Sequence, residues 1–278
     1  MNSSTLVRPF LKWPGGKFRL VPTLKAHLVE NRYLVEPFAG AGALFLNTTH
    51  PEIMINDINP DLINIYRQLQ QKGADFILEA KTFFQKKYNR SKMYYSLRAR
   101  FNRSKKPLER ALLFLYLNRH GYNGLCRYNL QGHYNVPFGD YQAPYFPHEE
   151  LLISHSRLQQ VKLHCENFTS FLHNLFEHDL SQMVIYCDPP YAPLSKTANF
   201  TGYAAAKFTL EDQKILAEMA RKLAKQGAVV LISNHDTSFT RSLYRGAKLK
   251  RIEVSRTISC QANKRTKVPE LIACFKPR

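Results

Sequence analysis

Residues 183–191 read Met-Val-Ile-Tyr-Cys-Asp-Pro-Pro-Tyr, an apolar run that ends in a carboxylate, two prolines and an aromatic ring. The apolar residues 183–187 predict a buried β-strand. Asp188 can accept a hydrogen bond from an amine, and Pro189 keeps its carbonyl as a second acceptor. Pro190 stiffens the turn, and Tyr191 offers a face for stacking. The segment suits a flat base with an exocyclic amine, but a strand followed by an ordinary proline-rich turn explains these four residues equally well.

Further strand-like runs occur along the whole chain and are separated by helical or loop stretches. They cover residues 33–36, 53–56, 161–165 and 228–233. This spacing indicates an α/β domain with a mainly parallel sheet. Residues 249–254 and 270–275 are expected to pair as a hairpin at the sheet edge. A capping box at residues 209–212 predicts a helix that runs to about residue 226.

The pattern changes between the second and third predicted strands. From residue 61 to about 146 the chain is helical, basic and aromatic, and then rich in Gly, Asn, Pro and Tyr. Pro107 begins a strongly apolar helix over residues 108–117, which is expected to form a core of this segment's own. We therefore predict a second domain, residues 60–147, inserted into an α/β domain made of residues 1–59 and 148–278.

The chain of 278 residues has a formal net charge of +19, which favours a polyanionic partner such as nucleic acid. Residues 86–127 hold twelve Lys or Arg and one acid, interleaved with tyrosines, a composition that fits phosphate contact and base stacking. The five cysteines contain no C-x-x-C pair, so we expect reduced thiols and no metal site. We also expect a cytoplasmic protein, because neither a signal peptide nor a membrane-spanning stretch is visible.

A glycine-rich turn follows the first predicted strand. Gly40 and Gly42 let the backbone approach a ligand closely at the carboxyl end of a parallel strand. The dinucleotide pattern G-x-G-x-x-G is incomplete, because Phe45 stands at its third glycine, and this argues against NAD.

Two further segments have features of a ligand site. Asp57 ends the second predicted strand, where an acid can bind both hydroxyls of a ribose. Either Asn59 or Asp57 is expected to cap the helix that follows Pro60, and for Asp57 the two roles are compatible. Gly15, Gly16 and Lys17 form a turn that could hold a carboxylate through backbone amides and an ammonium group.

These motifs occur in one order: F-x-K-W-x-G-G-K at 10–17, E-P-F-x-G-x-G at 36–42, the basic insert, and D-P-P-Y at 188–191. In this order the sequence resembles the S-adenosylmethionine-dependent adenine methyltransferases of DNA, and especially the Dam-type enzymes that modify adenine in GATC. The resemblance covers nearly the whole chain, with long matches at 115–119, 121–129, 135–139 and 232–236. It implies a Rossmann-like methyltransferase sheet with an inserted, mainly helical DNA-recognition domain, and S-adenosylmethionine as cofactor.

The resemblance also implies roles for individual residues. The catalytic residues would be Asp188, Pro189, Pro190 and Tyr191. Asp57 would bind the ribose, and Phe168 would pack on the adenine of the cofactor. The cofactor pocket would comprise Trp13, Gly15, Gly16, Lys17, Glu36, Pro37, Phe38, Gly40, Gly42, Asp57, Asn167, Phe168 and Asp188.

The DNA-contacting residues implied by the resemblance lie mostly in the insert. Arg127 would read a guanine, Lys12 would reach the first guanine of the site, and Tyr141 would help to read its outer half. Tyr122 and Asn123 would fill the space left by an extruded adenine. Leu125 and Pro137 would pack against base edges, whereas Arg98, Arg119, Asn129 and Asn135 would hold phosphates or neighbouring backbone.

The sequence departs from the Dam-type enzymes at a few positions. His120 stands where they carry Tyr, Asp140 and Gln142 replace basic residues beside Tyr141, and the loop 259–267 is altered. We expect these changes to affect phosphate affinity more than base choice.

Two alternatives remain open from the sequence. An RNA adenine methyltransferase would keep the D-P-P-Y and cofactor motifs, but residues 119–129 favour DNA because A-form RNA hides its major groove. A DNA-binding protein with an inactive methyltransferase fold is the other, and the intact Asp57, Asp188 and Tyr191 argue against it. We expect a monomer that acts on double-stranded DNA containing GATC. The sequence is compatible with a role in mismatch-repair marking, in gene regulation or in restriction protection.

Overall fold

The computed structural model describes residues 6–193, 208–255 and 267–277. Its strands are β1 (Tyr33–Glu36), β2 (Ile53–Asn56), β3 (Val161–His164), β4 (Met183–Cys187), β5 (Val229–His235), β6 (Lys248–Ser255) and β7 (Lys267–Phe275). Its α-helices are α1 (Val21–Lys25), α2 (Pro60–Lys72), α3 (Ala74–Thr82), α4 (Ser91–Arg103), α5 (Pro107–His120), α6 (His148–Leu158), α7 (Phe168–Asn174), α8 (Leu210–Lys225) and α9 (Ser238–Leu243). Short 3-10 turns lie at Phe18–Leu20, Phe45–Asn47, Lys86–Tyr88, Tyr122–Gly124, Leu175–Glu177 and Leu180–Gln182.

The seven strands form one sheet in the order β3-β2-β1-β4-β5-β7-β6. Strands β1 to β5 are parallel, whereas β7 runs antiparallel to both β5 and β6. The chain moves outward from β1 to β3 and then returns to place β4 on the other side of β1. The carboxyl ends of β1 and β4 therefore flank the switch point of the sheet, where α/β proteins bind their ligands.

This architecture confirms the predicted α/β class and its Rossmann-like sheet. The parallel strands lie within two residues of their predicted bounds, and the terminal hairpin is present but longer than expected. Helix α8 begins as predicted, because Thr209 Oγ1 accepts from the Asp212 amide at 3.1 Å while Asp212 Oδ2 accepts from the Thr209 amide at 2.7 Å.

The two faces of the sheet pack against different helices. Side chains alternate between faces along each strand, so Leu34 belongs to one hydrophobic cluster and its neighbour Val35 to the other. The Val35 cluster includes residues of α7 and α8. The Leu34 cluster includes residues of α2 to α5.

The expectation that α5 forms a separate core is wrong. Every residue from Ala111 to His120 is buried, and Leu113 and Phe114 belong to the same cluster as Leu34 of the sheet. The reason is that α5 packs against both α2 and α4, so no side of its second half faces solvent. The helical segment and one face of the sheet therefore share a continuous core.

The segment before β1 is tied to the end of α5. The amide of Lys12 donates to Asn118 Oδ1 at 2.9 Å, and Asn118 Nδ2 donates to the Lys12 carbonyl at 2.8 Å. Asn118 is fully buried, so this pair fixes the start of the F-x-K-W-x-G-G-K segment against the helical insert. Within the described ranges, no helix has the length and apolar character needed to cross a membrane.

Candidate functional site

The D-P-P-Y segment begins directly after β4, beside the carboxyl end of β1. Lys17 reaches it from the N-terminal segment, with Nζ 3.0 Å from Asp188 Oδ1 and 2.7 Å from the Gly15 carbonyl. The same ammonium lies 4.6 Å from the centre of the Tyr191 ring. The fold thus brings a cation, a carboxylate and an aromatic face together from residues far apart in sequence.

Asp188 also has a partner on β5. Ser233 Oγ donates to Asp188 Oδ1 at 2.7 Å, and the Tyr186 hydroxyl lies 3.0 Å from Ser233 Oγ. Sequence reasoning did not single out Ser233 or Tyr186. The sequence predicted that the two strands belong to a mainly parallel sheet. It did not predict their register, which is what places Ser233 beside Asp188.

Tyr191 is held by contacts with two other segments. Its hydroxyl donates to Glu270 Oε2 at 3.0 Å, and its ring meets that of His235 edge to face at 4.9 Å. Burial raises the pKa of the Tyr191 phenol well above its usual value, so the hydroxyl stays a donor at neutral pH. Glu270 was not predicted as a site residue. The structure shows that it is only 4% exposed, which is unusual for an acid in a sheet strand.

The proline turn is held by hydrogen bonds with side chains of α8 and β5. Gln213 Nε2 donates to the Pro190 carbonyl at 2.7 Å, and Asn234 Oδ1 accepts from the Ala192 amide at 2.9 Å. Asn234 Nδ2 also donates to Gln213 Oε1 at 2.9 Å, which joins these two contacts into one buried network. No described residue donates to the carbonyl of Pro189, the predicted second acceptor.

The glycine-rich turn requires its glycines. Gly40 and Gly42 have φ of +49° and +78°, and a Cβ on Gly42 would lie 2.3 Å from Phe45 Cε1. Trp13 packs on the same turn, with indole atoms 3.2 Å from the position of a Cβ on Gly40. A side chain at either glycine is therefore excluded by strain and by crowding.

Asp57 links this turn to the end of β2. Its Oδ2 accepts from the Gly40 amide at 3.1 Å, and its Oδ1 accepts from the Asn59 amide at 2.9 Å. Burial raises the pKa of the carboxyl, and the two amides oppose that effect. The cap of α2 is Asn59, whose Oδ1 accepts from the Asp61 and Leu62 amides, so Asp57 is not itself the helix cap.

Glu36, at the end of β1, is a buried carboxyl with an unused oxygen. It is 2% exposed, and its Oε1 has no hydrogen-bond partner among the described residues. Burial, with a smaller effect of Asp188, raises its pKa to about 8. A positive group of a ligand would satisfy this oxygen, since a buried unpaired acceptor is costly. The next residue, Pro37, accepts from Asn56 Nδ2 at 3.1 Å through its carbonyl.

An aromatic cluster lies beside these carboxyls. The Phe168 ring centre is 5.4 Å from that of Phe38 and 5.2 Å from that of Phe208. Asn167 caps α7, with Oδ1 accepting from the Thr169 amide at 2.9 Å, so its oxygen is already in use. These contacts put a flat apolar wall next to the carboxyl end of β1.

Three of the predicted DNA-contacting residues meet at one place in the insert. The Asn123 amide donates to the Tyr141 hydroxyl at 2.9 Å, and Lys12 Nζ lies 4.1 Å above the Tyr141 ring. Tyr122 is next to them and 50% exposed. Asn123 has φ of +51°, which Asn tolerates better than most residues.

The Arg127 segment is stiffened by its own side chains. Arg127 Nε donates to Asn135 Oδ1 at 2.8 Å, and Asn129 Oδ1 accepts from the Gln131 and His133 amides. Arg98 Nη1 donates to the Val136 carbonyl at 2.8 Å. The oxygens of both asparagines are thus occupied within the loop. Leu125 is half-buried and Pro137 is exposed.

Arg119 departs from its predicted role as a phosphate ligand. It is only 8% exposed, its Nε donates to the Tyr145 carbonyl at 3.0 Å, and its guanidinium lies 5.1 Å from the Tyr145 ring centre. Because the end of α5 is buried, this arginine braces the insert from inside.

His120 is likewise internal. It is 1% exposed and packs 4.1 Å from the Tyr116 ring. Burial lowers its pKa to about 4, so it is neutral at physiological pH and is not a surface cation. Asp140 and Gln142 are exposed. Of the altered loop, residues 259–266 lie outside the described residues.

Comparison with known proteins finds strong similarity. A family model described as D12 class N6 adenine-specific DNA methyltransferase matches residues 13–258. The chain is 51% identical over 271 residues to the DNA adenine methylase of Vibrio cholerae serotype O1, covering 97% of this chain and 96% of that protein. It is 48% identical over 270 residues to the DNA adenine methylase of Escherichia coli K12, with the same coverage of 97% and 96%.

Among solved structures, the rRNA methyltransferase aviRa from Streptomyces viridochromogenes is similar, with a TM-score of 0.43 and 11% identity. The alignment covers 99% of this chain and 93% of that one. In the part of the chain that is described, no group of three or more His, Cys, Asp or Glu side chains could hold a metal ion.

Proposed function

We propose that this chain methylates a flipped adenine in duplex GATC. The premise is that it belongs to the D12 class of N6 adenine-specific DNA methyltransferases. The protein is a DNA adenine methyltransferase, and its cofactor is S-adenosylmethionine. The GATC site is supported by the resemblance of residues 10–17, 121–129 and 135–139 to Dam-type enzymes.

Two parts of the chain would divide the work. Residues 60–147 would recognise DNA, and residues 1–59 and 148–278 would bind the cofactor and carry out catalysis. The cluster of twelve Lys or Arg at 86–127 supports the first assignment, and the switch point between β1 and β4 supports the second. We further propose a monomeric enzyme of the bacterial cytoplasm that works on nucleoid DNA, and the bacterial origin of the relatives supports the bacterial setting.

The residues around the glycine-rich turn fit the cofactor. Asp57 keeps acceptor capacity for ribose hydroxyls beyond the two amides that it already binds. Glu36 offers an unused buried oxygen to a positive charge, and the Phe38–Phe168 wall suits a flat ring. Lys17 and the Gly15–Gly16 backbone would hold a carboxylate. When bound, S-adenosylmethionine supplies a methyl group that is already activated on a sulfonium.

Asp188, Pro189 and Tyr191 would hold the target base. The adenine amine would donate to the Asp188 carboxylate and to the Pro189 carbonyl, while the ring stacks on Tyr191. These contacts orient the amine lone pair toward the methyl group. Asp188 need not be a strong base, because the amine becomes acidic only as the methyl arrives. Most of the acceleration would therefore come from positioning and electrostatics.

Lys17 occupies part of the space that the target base would need. Its ammonium lies over one face of Tyr191 and within 3.0 Å of Asp188. A base that stacked on that face and reached Asp188 would need the same space. That face therefore becomes available only when Lys17 moves.

Recognition of the duplex would use the insert. Its basic surface supplies affinity that does not depend on sequence, and Arg127 and Lys12 would read base edges in the major groove. The amine of a stacked adenine is out of reach, so the base has to leave the helix, at a cost of a few kcal/mol. Tyr122, which is half exposed on a tight turn, would fill the gap and offset part of that cost.

The observation that carries the proposal is the convergence of Lys17, Asp188 and Tyr191 at the switch point of the sheet. The test is transfer of tritiated methyl to plasmid DNA, followed by digestion with nucleases that distinguish methylated from unmethylated GATC. We expect label in DNA as N6-methyladenine and protection of GATC sites, and none of either with Asp188→Ala. Methylcytosine as product, or label only in RNA, would refute the proposal.

A further inference from the structure

We infer that Ser233, backed by Tyr186, is a positioning residue that sets the rotation of the Asp188 carboxylate; the inference rests on the proposed function. Tyr186 lies on β4 and Ser233 on β5. The register pairs Cys187 with Ile232, so the next residues along these parallel strands, Asp188 and Ser233, are neighbours. Side chains two residues apart share a face, which puts all three groups on one side of the sheet.

The hydroxyl hydrogens that link Tyr186, Ser233 and Asp188 have one consistent arrangement. A carboxylate can only accept, so Ser233 Oγ donates to Asp188 Oδ1 across 2.7 Å. The single hydroxyl hydrogen of Ser233 is then in use, so the Tyr186 hydroxyl donates to Ser233 Oγ across 3.0 Å. The donors run from Tyr186 through Ser233 to Asp188, and every hydrogen has an acceptor.

Burial makes these contacts stronger and the geometry firmer. Ser233 is fully buried and Tyr186 is 2% exposed, so water does not compete for either hydroxyl. Hydrogen bonds in such surroundings are electrostatically stronger than in water and reinforce one another along a chain. An anchor of this kind is able to hold a carboxylate that is itself partly open to the site.

The anchor determines which oxygen is left for the substrate. Ser233 and Lys17 both contact Oδ1 of Asp188. Among the described residues none donates to Oδ2. The last torsion of an aspartate side chain is soft, so without Ser233 the two oxygens would exchange places. Ser233 therefore keeps Oδ2 as the acceptor for the adenine amine.

The test measures single-turnover methyl transfer to a GATC duplex at saturating S-adenosylmethionine, together with the dissociation constants of cofactor and DNA. Ser233→Ala should slow transfer by about 10-fold or more, because a hydrogen bond to a charged group is lost. Binding of cofactor and DNA should stay within about twofold.

Tyr186→Phe should also slow methyl transfer, but only by about threefold, because it removes the hydrogen bond to Ser233 and leaves the one from Ser233 to Asp188. The double variant should be no slower than Ser233→Ala, because Tyr186 acts through Ser233. This non-additivity separates a chain of hydrogen bonds from two independent packing defects.

Matched controls come from elsewhere in the fold. Ser154 is fully buried on α6, with no partner for its hydroxyl among the described residues, so Ser154→Ala repeats the substitution without the contact. Tyr116 is fully buried on α5, and its hydroxyl donates to the Tyr88 carbonyl at 2.7 Å, so Tyr116→Phe removes an unrelated bond. Both controls should transfer methyl at the parental rate.

The inference is overturned if Ser233→Ala keeps the parental rate, if it weakens binding of cofactor or DNA as much as it slows transfer, if the effects of the two substitutions add, or if Ser154→Ala slows transfer as much. A parent protein that leaves GATC duplexes unmethylated would instead refute the proposed function, and this inference with it.

Discussion

Replacing Glu36 by Gln should change how the stability of the cofactor-free protein depends on pH. The carboxyl of Glu36 is 2% exposed, and its pKa is raised from 4.5 to about 8. Gln mimics the protonated acid in shape and remains neutral at every pH. The comparison therefore isolates the ionisation of a single buried group.

The sign follows from the direction of the shift. Between about pH 4.5 and pH 8 the folded protein keeps the Glu36 proton and the unfolded chain releases it. The free energy of unfolding therefore falls as pH rises, by about 1.4 kcal/mol for each pH unit. Across the whole window the loss is on the order of 5 kcal/mol, and at pH 7 it is about 3 kcal/mol.

The measurement is urea unfolding without cofactor from pH 5 to about pH 8.5 at fixed ionic strength. Glu36→Gln should match the parent near the acid end and become progressively more stable than it toward pH 8. Glu30→Gln, at an exposed acid, makes the same change in charge and should follow the parent. Parallel curves for the parent and Glu36→Gln would show that this carboxyl is not the buried acid described above.

The other predictions concern the insert. Arg127→Ala should relax sequence choice at one base pair, costing roughly 1–3 kcal/mol of discrimination, as measured by methylation rates on duplexes with single substitutions in GATC. Arg119→Ala should lower the urea midpoint of unfolding, because it removes a buried hydrogen bond and an aromatic contact. An unchanged midpoint together with a reduced salt dependence of DNA binding would show instead that Arg119 binds a phosphate. Tyr122→Ala should fold and bind cofactor normally but give less 2-aminopurine fluorescence at the target position in the complex. A lower urea midpoint with normal base flipping would instead show that Tyr122 stabilises the insert and does not fill the gap left by the adenine.

Much of the fold was predictable because its signals are local. The strand at 183–187 is apolar at every position, and the helix after Thr209 starts with a capping box. The order of motifs then indicated the family before any contact was known. Local patterns of this kind depend on a few neighbouring residues, so they survive without tertiary information.

Burial of polar residues was not predictable in the same way. Arg119 and His120 end a helix whose sequence gives no sign of which side faces solvent, because α5 is enclosed by α2 and α4. The basic composition of residues 86–127 suggested phosphate contact, and the resemblance implied that Arg119 would be one of the residues that hold phosphates. Packing removed Arg119 from that surface.

The sequence by itself determined the class of sheet, the starts of helices α5 and α8, and the motifs that we propose bind cofactor and base. The tertiary structure alone decided that Ser233 lies beside Asp188 and that Glu270 lies beside Tyr191. The physical reason is that strand register and strand order bring together side chains that are 45 and 79 residues apart. No local pattern carries that information, since a shift of one residue in register would turn each of these side chains to the opposite face.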